Sequence, residues 1–314
     1  MRYRSIQVLR GLAAAMVVAG HLFRTPLGIA GVDIFFVISG FIIASIAPQE
    51  GALRFLVKRC IRIYPMYWLC LIPAIFLATG HEEIGWPRML ASLTLLPVGQ
   101  ATAPYLIVGW SLMFEILFYV AVAISVSRRS ATLILAAFVL AFFLNAVSTG
   151  PVIGFLGHPL ILEFLAGVAI VLLPRSTAIG FFSLILGIGL FALHSGTEVD
   201  FPWSFTEQGS QMHRVCVFGI PAALTVYGCL ALEGMFEYSA WLPLVALGDA
   251  SYSLYLTHLG VINVPGWKPA LFVAAVLVGL IVHRRIERPM TAALNARLAP
   301  KSGSKRRPAP LLTA

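Results

Sequence analysis

The chain has 314 residues, of which 59% are hydrophobic and only 11% charged, with a mean hydropathy of +0.91. A soluble domain carries about 25% charged residues, so this composition excludes a soluble globular protein. A net charge of +9 would suggest nucleic acid in a soluble chain, but here the basic residues fall in short segments between apolar runs and read as topology signals.

The first apolar run, 6–23, resembles a signal peptide at a glance. Arg10 interrupts it and no small-residue cleavage site follows, so it reads as an uncleaved anchor. Arg10 inside such a run costs about 2.5–3.5 kcal/mol on insertion scales. His21 lies eleven residues on. Eleven helical steps return within about 20° of the starting direction and rise about 16 Å, so the two side chains share one stripe. Further runs of spanning length cover 31–47, 63–79, 107–126, 131–148, 158–173, 178–194, 213–232, 244–262 and 268–285. The expectation is an all-α integral membrane protein, a bundle of about ten transmembrane helices. Within 80–106 the apolar piece 89–96 is too short to span and reads as re-entrant or interfacial.

Basic residues alternate along the chain. Arg2 and Arg4 precede the first run; Arg54, Lys58, Arg59 and Arg62 follow the second. Arg128 and Arg129 follow the fourth, Arg175 the sixth, and eight more, from Arg284 to Arg307, end the chain. The positive-inside rule then places both termini in the cytoplasm. The segment 233–243 is the exception, with Glu233 and Glu237 and no basic residue. Residues 1–290 form the membrane domain; 291–314 read as a basic, disordered cytoplasmic tail. Cys60, Cys70, Cys216 and Cys229 show no metal-ligand or paired spacing, so no metal site is expected.

With this orientation His21, Asp33, Glu115, His158, Glu163 and His258 fall in the outer half of the bilayer, facing a basic inner mouth. Intramembrane titratable groups of this kind mark functional pathways. Structural roles stay open for several of them: a helix N-cap for Asp33, an interhelical hydrogen bond for Glu115, packing for His21, an interfacial position for His158. Ser111 lies one turn from Glu115 on the same face and could bond it.

The order of motifs resembles the membrane acyltransferase-3 family over nearly the whole chain. Leu9-Arg10-Gly11-Leu12 through Gly20-His21 matches an Arg-x10-His element, and Gly31-Val32-Asp33-Ile34-Phe35-Phe36-Val37-Ile38-Ser39-Gly40-Phe41 matches the second-helix signature. Arg59-Cys60-Ile61-Arg62-Ile63-Tyr64-Pro65, Trp110-Ser111-Leu112 with Glu115 and Phe118-Tyr119, Ser251 through His258, and Glu287-Arg288-Pro289 follow in order. The short exopolysaccharide acetyltransferases of the group are the most similar in length. No esterase-like domain follows the last run.

The resemblance implies transfer of an acyl group, usually acetyl, from cytoplasmic acyl-CoA to a carbohydrate hydroxyl on the far side of a bacterial inner membrane. Acyl-CoA is a co-substrate, and no tightly bound cofactor is implied. The partners are acyl-CoA, a glycan or lipid-linked glycan acceptor and membrane lipid, not nucleic acid. His21 is then the base or acyl relay, with Glu115 and Asp33 orienting it or taking its proton. Arg10 would hold the donor, Arg59 and Arg62 the coenzyme A phosphates, and Ser111 and His258 would complete the substrate-binding set. Ser39 and Gly40 read as close-packing positions, and Tyr64, Tyr252 and Tyr255 as structural. A secondary transporter of an acidic or polyprenyl-linked glycan precursor is the alternative; it calls for repeat symmetry with broken helices, which the sequence does not show. A non-catalytic scaffold would tolerate loss of His21.

Overall fold

In an apolar phase every backbone N–H and C=O must be paired internally, and a chain this hydrophobic meets that demand with helices. The computed structural model describes residues 3–49, 51–79, 85–98, 103–128, 130–145, 150–199 and 208–298, and among these there is no strand. The helices are α1 (Arg4–Phe23), α2 (Ala30–Ile46), α3 (Ala52–Thr79), α4 (Trp86–Thr94), α5 (Gly109–Arg128), α6 (Ala131–Asn145), α7 (Pro151–Leu156), α8 (Ile161–Leu172), α9 (Thr177–Leu193), α10 (Gln208–Arg214), α11 (Ile220–Ala231), α12 (Leu242–Asp249), α13 (Ser251–Ile262), α14 (Lys268–Val282) and α15 (Arg288–Arg297). A π-helical turn at Val215–Gly219 joins α10 to α11, and another at His283–Glu287 joins α14 to α15.

Seven stretches among the described residues are long and apolar enough to cross a membrane, and Ile134–Asn145 and Thr177–Leu193 are shorter apolar helices. The run 244–262, expected as one helix, is two: α12 ends at Asp249, and Ala250 (φ −85°, ψ 0°) turns the chain into α13. The helix expected over 63–79 begins eleven residues earlier, so Arg54, Lys58, Arg59 and Arg62 are helical and not in a loop. Within 80–106 the described part forms α4, nine residues long and too short to span. Its Thr94 and Leu93 carbonyls accept from Tyr64 Oη (2.6 Å) and Trp68 Nε1 (2.9 Å) on α3. The tail expected from 291 is helical as far as Arg297; residues 299–314 lie outside the described set.

The acidic segment after α11 has a specific partner. Glu233 accepts from the backbone N–H groups of Arg4 (2.6 Å) and Ser5 (3.3 Å) and from the Ser5 hydroxyl, capping α1, whose own N-cap residue Tyr3 makes no side-chain cap. Arg4 Nη1 donates to the Glu237 carbonyl (2.5 Å). The one segment that breaks the charge alternation therefore pairs with the basic N-terminus.

Close packing rests on small residues where helices touch. A Cβ on Gly40 (α2) would collide with the Phe164 carbonyl of α8, and one on Gly167 (α8) with the Val37 carbonyl, so the two backbones meet directly. Outward, α3 exposes Trp68, Leu69, Ile72, Phe76 and Leu77, an apolar face suited to lipid.

Candidate active site

α1 and α13 lie together with two polar ties between them. Near the N-terminus of α1, Arg10 Nη2 donates to Ser251 Oγ (2.9 Å); near its C-terminus, His21 Nδ1 and His258 Nε2 are 3.3 Å apart. Each tie opens onto a chamber.

The basic chamber, about 100 Å³, is lined by Arg10, Arg59, Arg62, Glu115, Tyr119 and Ser251 among others. Arg59 and Arg62 project from the first turns of α3. The Arg59 guanidinium lies over the rings of Phe55 (5.4 Å) and Tyr119 (5.8 Å), and its buried Nε has no hydrogen-bond partner. Among the described residues neither Arg59 nor Arg62 pairs with a carboxylate. Glu115, on α5, accepts from the hydroxyls of Tyr119 and Ser39 (3.3 Å for Ser39). Three guanidinium groups against one carboxylate leave the chamber net positive. This corrects two expectations: Glu115 faces the arginines and neither orients His21 nor bonds Ser111, and Ser39 is its hydrogen-bond donor as well as a packing residue.

The histidine chamber, about 450 Å³, is lined by His21, Arg24, Thr25, Trp110, Glu198 and Tyr255 among others. Two carbonyls fix its tautomers. His258 Nδ1 lies 2.8 Å from the Tyr255 carbonyl, which can only accept, so this nitrogen carries the proton and Nε2 is left as acceptor. His21 Nδ1 lies 2.9 Å from the Val17 carbonyl and 3.3 Å from His258 Nε2, so it too is the protonated nitrogen. His21 Nε2 is left with its lone pair free, on a side chain that lines the chamber. A second shared feature is the fold of the α1–α2 connection. Arg24 closes α1 in the left-handed region (φ 56°, ψ 46°), and the Gly20 and Gly28 backbones approach so closely that a Cβ on either would collide. This holds the Arg24 turn against the chamber rim.

Asp33 belongs to neither chamber. It is fully buried and paired with Arg214 side-on, Nε donating to Oδ1 at 3.0 Å and Nη2 to Oδ2 at 2.9 Å. Arg214 also lies over the Trp110 ring (5.3 Å). Glu163 is buried within electrostatic reach of both, its carboxylate against Gly219, where a Cβ would sit 2.7 Å from Oε1. His158 is buried, its ring tilted against Phe114 (centroids 4.8 Å apart) and within electrostatic reach of Arg214. The single outer cluster expected from sequence is thus three groups: His21 with His258, Asp33 with Glu163 and His158 around Arg214, and Glu115 with the arginines. Asp33 neither caps α2 nor orients His21; a bidentate guanidinium holds it.

Sequence reasoning missed Arg214, whose partner lies 181 residues away, and Arg24 and Glu198, exposed polar residues that no motif marks. Ser111 lies buried, bonded to Tyr255 Oη (2.7 Å) and the Val108 carbonyl (3.2 Å), and lines the basic chamber. Tyr64 Oη bonds the Thr94 carbonyl, and Tyr252, which lines the basic chamber, donates its Oη to the Ile63 carbonyl (2.8 Å), tying α13 to α3.

Comparison with known proteins gives this geometry its context. The chain is 33% identical to the exopolysaccharide production protein ExoZ of Rhizobium meliloti (strain 1021), covering 86% of this chain and 91% of that protein. It is 26% identical to the putative membrane-bound transacylase BcsY of Komagataeibacter xylinus (90% and 76% covered) and 24% identical to the acyltransferase MdmB of Streptomyces mycarofaciens (95% and 94%). No solved structure matches. The acyltransferase-3 model, described as an acyltransferase domain, matches residues 3–283, and the chain, a multi-pass membrane protein, belongs to that family.

Proposed function

We propose that this protein moves an acyl group, acetyl by preference, from cytoplasmic acyl-CoA to a carbohydrate hydroxyl of an exopolysaccharide or other surface glycan. It does so in a bacterial inner membrane, with about ten membrane-crossing helices and both termini in the cytoplasm. One observation carries the reading: a chamber lined by three arginines and a chamber lined by a histidine with a free lone pair share walls on α1, α2, α5 and α13.

Arg59 and Arg62 have the fork geometry for phosphate oxygens, and a chamber without a matching carboxylate favours a polyanion such as coenzyme A. Arg10 uses Nη2 on Ser251, which orients the guanidinium toward the donor arm. In the histidine chamber, His21 Nε2 removes the acceptor hydroxyl proton as that oxygen attacks the thioester carbonyl. The C–O ester bond forms, the C–S bond breaks, and the proton passes from His21 to the departing thiolate. The imidazolium formed in between keeps its Nδ1–H on Val17 and His258, so His258 holds the ring at the angle the attack requires. His258 is fully buried, and in this reading it orients His21. The relatives support the acceptor class: one is named for exopolysaccharide production, and two are named as a transacylase and an acyltransferase.

The test is transfer of labelled acetyl from acetyl-CoA to cell polysaccharide by membranes bearing the wild-type protein or His21→Ala. Loss of label with His21→Ala at normal protein levels is the expected result. Undiminished acetylation would remove His21 from the chemistry.

A further inference from the structure

The two chambers meet at a wall. Val32 and Tyr255 line both of them. Val32 sits in the first turn of α2, buried, with the single stiff rotamer of a β-branched side chain in a helix. Tyr255, on α13, is also buried, and its hydroxyl lies at hydrogen-bond distance from Ser111 Oγ (2.7 Å) and the Val108 carbonyl (2.9 Å). Ser111 Oγ also lies 3.2 Å from the Val108 carbonyl, so the two hydroxyls share one carbonyl acceptor and distribute two protons over three contacts. The Phe35 ring meets Tyr255 edge-on at 6.2 Å. None of these groups contacts His21 through a hydrogen bond, and the proton transfer described above does not use them. They stand on the path from the arginines to His21.

We propose that Val32 and Tyr255 form an acyl filter: a constriction that passes a short acyl group from the basic chamber to His21 and retains the body of coenzyme A on the basic side. The proposal rests on the acyl-CoA reading above. A thioester whose acyl end has passed the constriction presents its carbonyl carbon to the acceptor hydroxyl; the C–O bond forms on the histidine side, and the thiolate leaves on the arginine side, taking the proton from His21. One face of Val32 and one edge of Tyr255 then set the width available to the acyl chain. A single methylene at an apolar constriction changes discrimination by roughly 10–200-fold. The same wall keeps water in the histidine chamber away from a thioester whose acyl end is still on the basic side.

The experiment uses membranes bearing full-length wild type, Val32→Ala and Val32→Ile, with acetyl-, propionyl- and butyryl-CoA as alternative donors and the cell's own polysaccharide as acceptor. Val32→Ala widens the gap and is expected to raise the butyryl-to-acetyl transfer ratio about tenfold or more; Val32→Ile narrows it and is expected to lower the propionyl-to-acetyl ratio by a similar factor. Unchanged ratios in both variants, with the protein present, overturn the filter. Should Val32→Ala fail to accumulate, the Val32→Ile ratio decides alone. Tyr255→Phe keeps the ring and loses both hydrogen bonds; it is expected to release acetate and free thiol from acetyl-CoA and water several-fold faster without acceptor. An unchanged rate counts against Tyr255 as the fixed jaw. Wild-type membranes that transfer no acyl group from any of the three donors would instead overturn the donor reading, and the filter with it.

Discussion

The basic chamber and the histidine chamber share walls from α1, α2, α5 and α13, but α3 lines the basic chamber alone and brings Arg59 and Arg62 to it, so the two treat charge in opposite ways. The basic chamber gathers three guanidinium groups around one carboxylate, and among the described residues none of the three forms a salt bridge. The histidine chamber centres on two imidazoles whose protons are assigned by backbone carbonyls. A third polar region, Asp33 with Arg214, satisfies its charge internally and opens on neither. On the proposed function the contrast separates three uses of polarity: arginines without a salt bridge for binding a polyanion, an oriented imidazole for chemistry, and a buried ion pair for structure.

Four substitutions sharpen or break this division. The largest effect is expected for His21→Ala, a loss of about 10²–10⁴ in turnover, measured as acetyl transfer per unit of membrane protein. Asp33→Ala leaves Arg214 buried without its partner and should cost about 3–5 kcal/mol of stability, read as a lowered thermal midpoint in detergent and reduced protein in membranes. Retention of wild-type stability would show the pair is not structural. Replacing Arg59 and Arg62 by Gln should raise the donor KM by about tenfold or more, since charge-assisted hydrogen bonds contribute about 1.5–3 kcal/mol each, with the acceptor KM little changed. His258→Ala should lower kcat about tenfold at constant donor KM, and His258→Asn, whose amide oxygen can accept from His21 Nδ1, should recover part of it. Equal damage by Ala and Asn would point to packing alone.

Much of this was legible in the sequence, and the limits have physical causes. The eleven-residue spacing put Arg10 and His21 on one stripe of α1, because helical periodicity is local. The same periodicity places Ser251, Tyr255 and His258 along α13, and the motif there held both ties to α1. Depth reasoning failed for Glu115: distance along a helix says nothing of which neighbour the side chain faces, and α5 turns it toward Tyr119 and Ser39. Arg214 could not be assigned to Asp33, because a contact across 181 residues leaves no local pattern. The start of α3 was missed because a hydropathy run stops at Arg62, whereas the helix continues through four cations, two of which, Arg59 and Arg62, line a chamber. The break at Ala250 carries no proline or glycine at the turn itself and so gave no signal.

The division of labour between the two chambers is tested most directly by acetyl-CoA binding to purified protein. His21→Ala should bind acetyl-CoA with the wild-type Kd while transferring no acetyl group, and the double variant of Arg59 and Arg62 should bind at least about tenfold more weakly. Donor binding lost with His21→Ala, or retained in full without the two arginines, would contradict it.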